Sequence, residues 1–420
     1  MQSMSKVSPI SQGRSWESIR ADMLSAHETD KRVHHERSFR VAYYVGDVVL
    51  KVGKEAFAMY YEENALYGGT QYLSVKRYED EIIEFLLHLM QAPDGATGKL
   101  TIGGTESNMM AVKMARDWAA DTRPVAGTPE LILPRTAHPS FFKAAQMLGL
   151  KPIRMARSVD FQADVEAMTE AVTDNTVAII ASAPPYAYGV TDPVKAIAEI
   201  AESNNLWLHV DCCMGGLFLP FARQVDSTIP AFDFSISGIR SLSADLHKYG
   251  YAPKGISSLM LRDADLAQYR DFVASDPVGG YYATPNIAGT RPAGTIAAAW
   301  AVVNYLGYEG YLESVRELLR IKGRILAGIS EISDLEVCGT PHAVHFNVFS
   351  PTLDIMAIST GLEERGWATS LGGEPNSIWM MLNYSHRDIV DEFLSGLCEV
   401  VDLVKRGEIV TDGRGAVYAK

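Results

Sequence analysis

From about residue 100 to 261 short apolar runs alternate with helical stretches, and no other feature of the chain narrows its choice of fold as much. The runs "LILP" at 131, "PIRMA" at 152, "TVAIIASA" at 176, "LWLHVDC" at 206, "FSIS" at 234 and "SSLML" at 257 gather β-branched and apolar residues between turn residues, the signature of buried strands. Helical periodicity fills the gaps at residues 106–119, 140–148, 161–172 and 194–203. Strands joined through helices need crossovers, so the expected fold is α/β with a mostly parallel sheet covered on both faces.

The flanks read differently. Upstream, "VVLKVGKEAFAMYYEE" and "VKRYEDEIIEFLLHLMQA" repeat apolar residues at three and four spacings on either side of the loop "NALYGGTQYL". Downstream, the helix "AVVNYLGYEGYLESVRELLRIKGRILAGI" precedes "LEVCG", "VHFNVFS" and "SIWMMLNY" as antiparallel strands, then the helix "RDIVDEFLSGLCEVVDLVKRG". At about 150 residues per domain, 420 residues allow two or three units. The expected division is an N-terminal helical segment over 1–55, a large domain over 56–300 and a small α+β domain over 301–420, with a loose tail from 411.

Composition removes several function classes. A net charge of −13 without a Lys/Arg block opposes nucleic acid as a partner. Cys212, Cys213, Cys338 and Cys398 are too few for a disulfide framework, and two are adjacent, so a reducing, cytoplasmic location is expected. The N-terminus lacks the charged-then-apolar layout of a signal peptide. The most apolar window, "GTIAAAWAVVNYLGYEGY", is interrupted by Gly and Tyr and reads as a buried helix rather than a membrane span.

Four stretches carry chemistry. In "LTIGGTESNMMAVKMARD" a strand-like run ends at Gly103-Gly104, and Thr105, Glu106, Ser107 and Asn108 open a helix. Glycine admits close backbone approach, and a helix start presents N–H groups to a phosphate; a capped helix after a tight turn is the alternative. No Walker lysine follows, which disfavours a triphosphatase. In "LWLHVDCCMGG" Asp211 ends a strand at the carboxyl edge of the sheet, where open α/β folds bind ligands. His209, Asp211 and Cys213 share a strand face, so metal ligation competes, although zinc ligands usually come from spaced loops. His138 in "LPRTAHPSFFKAAQMLG" stands between strand and helix, as a catalyst or a cap. Lys248 in "SLSADLHKYGYAPKG" sits on a turn between apolar stretches, as half of an ion pair or as a reactive amine. Taken together, a phosphate cradle, an aspartate, a histidine and a lysine are what holding pyridoxal phosphate requires: the lysine condenses with the aldehyde, and the aspartate keeps the pyridine nitrogen protonated.

These stretches, with "SAPPYAYGVTDPV", "GGYYATPNIAGTRPAG" and "RGWATS", run in order from about residue 40 to 385. They resemble the group II decarboxylase family of fold-type I pyridoxal-phosphate enzymes, and within it the sphingosine-1-phosphate lyase branch. The resemblance implies a seven-stranded, mostly parallel sheet with a smaller C-terminal α+β domain. It implies that Lys248 carries the cofactor, Asp211 pairs with the ring nitrogen and His138 stacks on the ring. Gly104, Thr105 and Glu106 would hold the phosphate, with Ser182 and His247 nearby and no metal. A homodimer with shared sites is implied, the partner contributing Thr290 and Tyr282. Lys254 matches a lysine that holds substrate phosphate, Arg291 offers a second cation, and Tyr44 and Asn64 fall in the substrate pocket. The family's Asn-Pro-Leu-His loop reads "NALY" here, with Tyr67 replacing the histidine.

The expected activity is thus a retro-aldol lyase acting on a phosphorylated amino alcohol, with Tyr44, Tyr282 or Lys248 as base. An amino-acid decarboxylase is the alternative, and an inactive binding protein of the same fold the third reading.

Overall fold

Seven strands build the central sheet: β1 (Thr97–Thr101), β2 (Glu130–Pro134), β3 (Lys151–Met155), β4 (Thr176–Ser182), β5 (Trp207–Asp211), β6 (Ile239–Ala244) and β7 (Ser257–Leu261). They lie in the order β1-β7-β6-β5-β4-β2-β3. The run from β3 to β6 is parallel, and β7 is antiparallel to both neighbours. The computed structural model describes residues 13–30, 37–40, 43–276 and 278–411, so the tail expected beyond 411 lies outside the described residues. Every residue of β2, β4, β5 and β7 is buried. Helices cover both faces, which is why these strands are apolar without alternation. The α/β fold with its mostly parallel seven-stranded sheet is the fold-type I architecture expected above.

One strand lies elsewhere. "FSIS" at 234 is a turn, because Asp233 accepts hydrogen bonds from the Ser235 amide and hydroxyl; the strand is β6, five residues later. Its serines look solvent-facing in sequence, yet Ser241 and Ser243 are fully buried and hydrogen-bonded to Trp207 Nε1 (2.8 Å) and Asn108 Oδ1 (3.0 Å). The helix expected over 161–172 is shortened to Val165–Glu170, since the Asp164 side chain caps it by accepting from Ala167 N at 3.0 Å.

Beyond the sheet, β8 (Phe272–Asp276) and β9 (Gly280–Thr284) form an exposed hairpin that periodicity did not mark. The C-terminal sheet is antiparallel, ordered β10-β11-β13-β12 from β10 (Glu336–Val337), β11 (His345–Phe349), β12 (Ser370–Gly373) and β13 (Asn376–Met381). The Ser-Leu-Gly-Gly of β12 is too poor in β-formers to stand out. The expected boundaries at 55 and 300 fall inside two helices, Asp47–Met59 and Ala293–Ser330, that pack on each other. The second is kinked at Gly307, whose φ of 57° favours glycine. Among the described residues no helix is long and apolar enough to cross a membrane.

Candidate active site

Parallel strands aim their carboxyl ends at one edge of the sheet, and there a cleft of about 700 Å³ opens. Gly103, Gly104 and Thr105 line it from the start of the Gly104–Thr122 helix. His138 enters after β2, Tyr186 after β4, Asp211 at the tip of β5, and Asp245, His247 and Lys248 after β6. Four residues singled out in separate stretches of sequence, Gly104, His138, Asp211 and Lys248, thus line one cleft.

Lys248 Nζ lies 3.0 Å from Asp245 Oδ2, with the lysine side chain 18% and the aspartate 2% exposed. Burial pulls the ammonium pKa down, but the surrounding groups, led by Asp245, outweigh it and hold the pKa well above its ordinary value. Burial likewise opposes the Asp245 charge, while Lys248 and His247 bring its carboxyl below the usual carboxylate value. The ion pair and the reactive amine are therefore the same residue. Asp245 was not recognised from sequence; its only signal is its place three residues before the lysine in "ADLHK".

Asn108, fully buried in the Gly104–Thr122 helix, organises the floor. Its Nδ2 donates to Asp211 Oδ2 and Ser140 Oγ, each at 3.0 Å, and its Oδ1 accepts from Ser243 Oγ at 3.0 Å and faces His209 Nε2 at 3.3 Å. Asp211 also accepts from the Cys213 amide at 2.9 Å. Beyond Ser140, the His138 Nδ1 lies 2.9 Å from Ser140 Oγ and accepts from Ser140 N at 3.2 Å, so a neutral His138 carries its proton on Nε2. Burial keeps it neutral by lowering its pKa, against the pull of Asp211. His209, read as a metal ligand in one alternative, is spent in this network, with Nδ1 2.9 Å from Ser241 Oγ and a pKa lowered by burial to about 4. Cys213 Sγ is likewise within 3.3 Å of Ser243 Oγ.

Other expected site residues are placed less simply. His247 lines the cleft, its Nδ1 donating to Ile256 O at 2.6 Å. Glu106 lines it too, but its carboxylate accepts from the backbone of Ile102 (2.7 Å), Ile287 (2.8 Å) and Ala288 (3.2 Å), so it clamps a loop rather than a phosphate. Ser182 pairs in register with Asp211 and is buried away from the cleft lining. Tyr44 is also off the lining: its hydroxyl donates to Asp47 at 3.0 Å, and burial together with Asp47 raises its pKa, which suits a base poorly. Its neighbour Tyr43 is the tyrosine near the lysines, its ring 4.4 Å from Lys254 Nζ, although it too lies outside the cleft lining.

Lys254 is also outside the cleft lining, but it donates to His247 O at 2.8 Å, so its ammonium is held against a lining residue although the residue as a whole is exposed. Burial and the neighbouring Lys248 lower its pKa to about 8. Arg291 corrects an expectation: it is buried under the sheet edge, its Nη1 3.0 Å from Glu79 and 3.3 Å from Leu100 O, which leaves it outside the cleft lining. Asn64 ties its loop to the same segment, accepting from Arg291 N at 3.3 Å and donating to Thr290 Oγ1 at 3.3 Å. Thr290 and Tyr282 lie outside this chain's own cleft lining.

Comparison with known proteins follows the same lines. The pyridoxal-dependent decarboxylase conserved domain matches residues 73–349. A sphingosine-1-phosphate lyase of Arabidopsis thaliana is 36% identical over 370 residues, 87% of this chain and 68% of that protein. A Pyrococcus abyssi protein described as a probable L-aspartate decarboxylase is 32% identical over 352 residues, 83% of this chain and 88% of that protein. Among solved structures, the sphingosine-1-phosphate lyase of Burkholderia pseudomallei superimposes with a TM-score of 0.90 at 33% identity, covering 95% of this chain and 93% of that one.

Proposed function

We propose that this chain, which belongs to the group II pyridoxal-dependent decarboxylase family and is a pyridoxal-phosphate-dependent lyase, cleaves a phosphorylated amino alcohol by a retro-aldol reaction, releasing an aldehyde and a phosphorylated amine. The residues present fit the cofactor. A Cβ on Gly104 would stand 2.7 Å from Cys213 Sγ and 2.8 Å from Asp245 Oδ1, so glycine alone keeps the helix start open to the cleft. Gly103, Gly104 and Thr105 would hold the phosphate, Asp211 the pyridine nitrogen, His138 the ring face and Lys248 the aldehyde.

When bound, pyridoxal phosphate supplies an electron sink for the bond broken next to the substrate amine. The chain does the rest. Asn108 orients Asp211 by donating to Oδ2. Ser140 keeps the His138 ring in one tautomer. Lys248, whose ammonium is held against Asp245, would move protons at the substrate hydroxyl and at the amine-bearing carbon once its amine is free. Asp245 balances the charge that Lys248 then carries.

Lys254 is the observation that carries the phosphorylated substrate. Its ammonium is fixed by a carbonyl and an aromatic ring beside Lys248, and among the described residues no carboxylate pairs with it within 4.0 Å. A cation held this way fits a phosphate dianion. The second reading, decarboxylation of an amino acid, is favoured by the Pyrococcus relative's description, whereas Tyr67 is half exposed and outside the cleft lining and so does not bear on the choice. Product analysis separates the two. Aldehyde released from a phosphorylated sphingoid base, and lost in Lys248→Ala, supports the lyase; carbon dioxide from an amino acid with no aldehyde overturns it.

The active form is proposed to be a homodimer. Phe272, Val273, Tyr281 and Tyr282 of the β8–β9 hairpin and the following Ile287 are exposed apolar residues, a surface that a second copy would cover. Tyr282 and Thr290 would then reach the partner's cleft. Sedimentation at the monomer mass under assay conditions would refute this.

A further inference from the structure

The segment from Arg135 to His138 serves two cavities. His138 lines the cleft that contains Lys248, whereas Arg135 and Thr136 line a second cavity of about 660 Å³, and Tyr186 belongs to both. The second cavity lies between the carboxyl edge of the central sheet, which contributes Arg154 and Arg157, and the C-terminal sheet, which contributes Asn347, Leu371 and Trp379.

Its charge runs against that of the molecule. In a chain of net charge −13, three arginines here face a single carboxylate, Glu374, which is taken by Arg135 Nη2 at 2.7 Å. Among the described residues neither Arg154 nor Arg157 has a carboxylate within 4.0 Å. Aromatic faces hold both guanidiniums instead: Arg154 lies 4.3 Å from the Phe142 ring, and Arg157, which donates from Nη1 to Ser158 O at 2.9 Å, lies 4.0 Å from Phe161 and 5.9 Å from Tyr188. Stacking orders a guanidinium while leaving edge donors for an oxyanion.

Two polar side chains in the wall are also unsatisfied. Asn347 is 2% exposed and Thr136 4% exposed, and neither Asn347 Oδ1 nor Thr136 Oγ1 has a hydrogen-bond partner. Both atoms are enclosed in the wall itself, where an unpaired polar atom is costly.

We propose that this cavity is a binding site for a small organic oxyanion with an apolar body, separate from the catalytic cleft. Arg154 and Arg157 take the carboxylate or phosphate, and Tyr188 and Trp379 flank the body. The inference goes beyond the proposed cleavage, whose phosphate is assigned to Lys254. Through Tyr186 and the Arg135–His138 segment, the bound anion would adjoin the residues that hold the cofactor ring.

The test is calorimetric titration of the holoenzyme with phenyl phosphate and, separately, 4-hydroxybenzoate, which tells a phosphate site from a carboxylate site. Saturable binding of one molecule per chain by either probe is expected, weakened about tenfold or more by Arg154→Gln or Arg157→Gln and unchanged by Lys254→Gln. Both arginines are at least partly exposed, so the variants should fold; Arg157→Lys, which keeps charge but loses the fork, should bind with intermediate affinity. Absence of saturable binding with both probes overturns the proposal. So does binding indifferent to both arginine substitutions, or binding lost in Lys254→Gln, which would place the anion at the position proposed for the substrate phosphate.

Discussion

Asn108 Nδ2 stands 3.0 Å from Asp211 Oδ2, and through Ser140 the same side chain reaches the loop that carries His138. One buried amide thus sets both the carboxylate and the imidazole of the cleft, with all four of its hydrogen-bonding positions used.

Replacing that amide tests the arrangement. Asn108→Ala leaves Asp211 Oδ2 and Ser140 short of a donor, so a loss of about 2 kcal/mol in apo-protein stability is expected. Cofactor affinity should fall about tenfold, one charge-assisted bond's worth. Asn108→Asp should be worse, because it sets a second carboxylate against the first. Thermal unfolding and cofactor titration read both effects, and wild-type cofactor affinity in Asn108→Ala would remove Asp211 positioning from the account.

The Lys248–Asp245 pair makes a prediction about pH. Lys248 has a folded pKa above its ordinary 10.5, so its contribution to stability is full below that value and is lost as pH rises through the folded one. Asp245 has a folded pKa below its ordinary 3.8, so its contribution is full above that value and is lost as pH falls through the folded one. Asp245→Asn should therefore destabilise the apo-protein by about 3 kcal/mol, the cost of stranding one partner of a buried pair. The gap should be flat from about pH 5 to 9 and close toward either extreme. A gap that keeps widening into acid would show that the loss is one of packing.

Lys254 should impose its own pH limit on substrate binding. With its pKa lowered to about 8, its cation is lost as pH rises through that value. KM for a phosphorylated amino alcohol is expected to climb above about pH 8 in the wild type. Lys254→Gln should raise KM about tenfold at pH 7 with a smaller change in kcat, and flatten the climb. An unaltered KM profile in the variant would move the phosphate elsewhere.

Gly104→Ala puts a methyl group against Cys213 and Asp245 at the separations of 2.7 and 2.8 Å given above. Overpacking of this kind costs about 1–3 kcal/mol. The expected phenotype is a folded, less stable protein that purifies with little cofactor. Full yellow occupancy would mean that the phosphate does not use this helix start.

Much of this site can be read from the sequence because its parts end strands. "LWLHVDC" and "TVAIIASA" are apolar without alternation, which fits only strands buried on both faces, and such strands in parallel bring their ends to one edge. Asp211 and His138 were therefore legible, and Lys248 with them. Which of the adjacent Tyr43 and Tyr44 turns toward Lys254 was not legible, because that contact joins residues more than two hundred positions apart. β6 was missed because polar serines in alternation look like loop until the buried partners that satisfy them are known.

The chain's order of apolar and amphipathic segments, by itself, determined the layered α/β fold and the edge at which chemistry could occur, since burying apolar surface depends on periodicity that is local in sequence. Only the tertiary structure decided that Arg291 is consumed by Glu79, that Glu106 clamps a loop, that Asn108 carries the floor of the cleft and that Arg154 and Arg157 converge on a second cavity. Each of those outcomes depends on which distant group stands within about 3–4 Å of a charge or a hydrogen-bond donor, and electrostatic and hydrogen-bond energies at that range are set by position in space, which no spacing along the chain encodes.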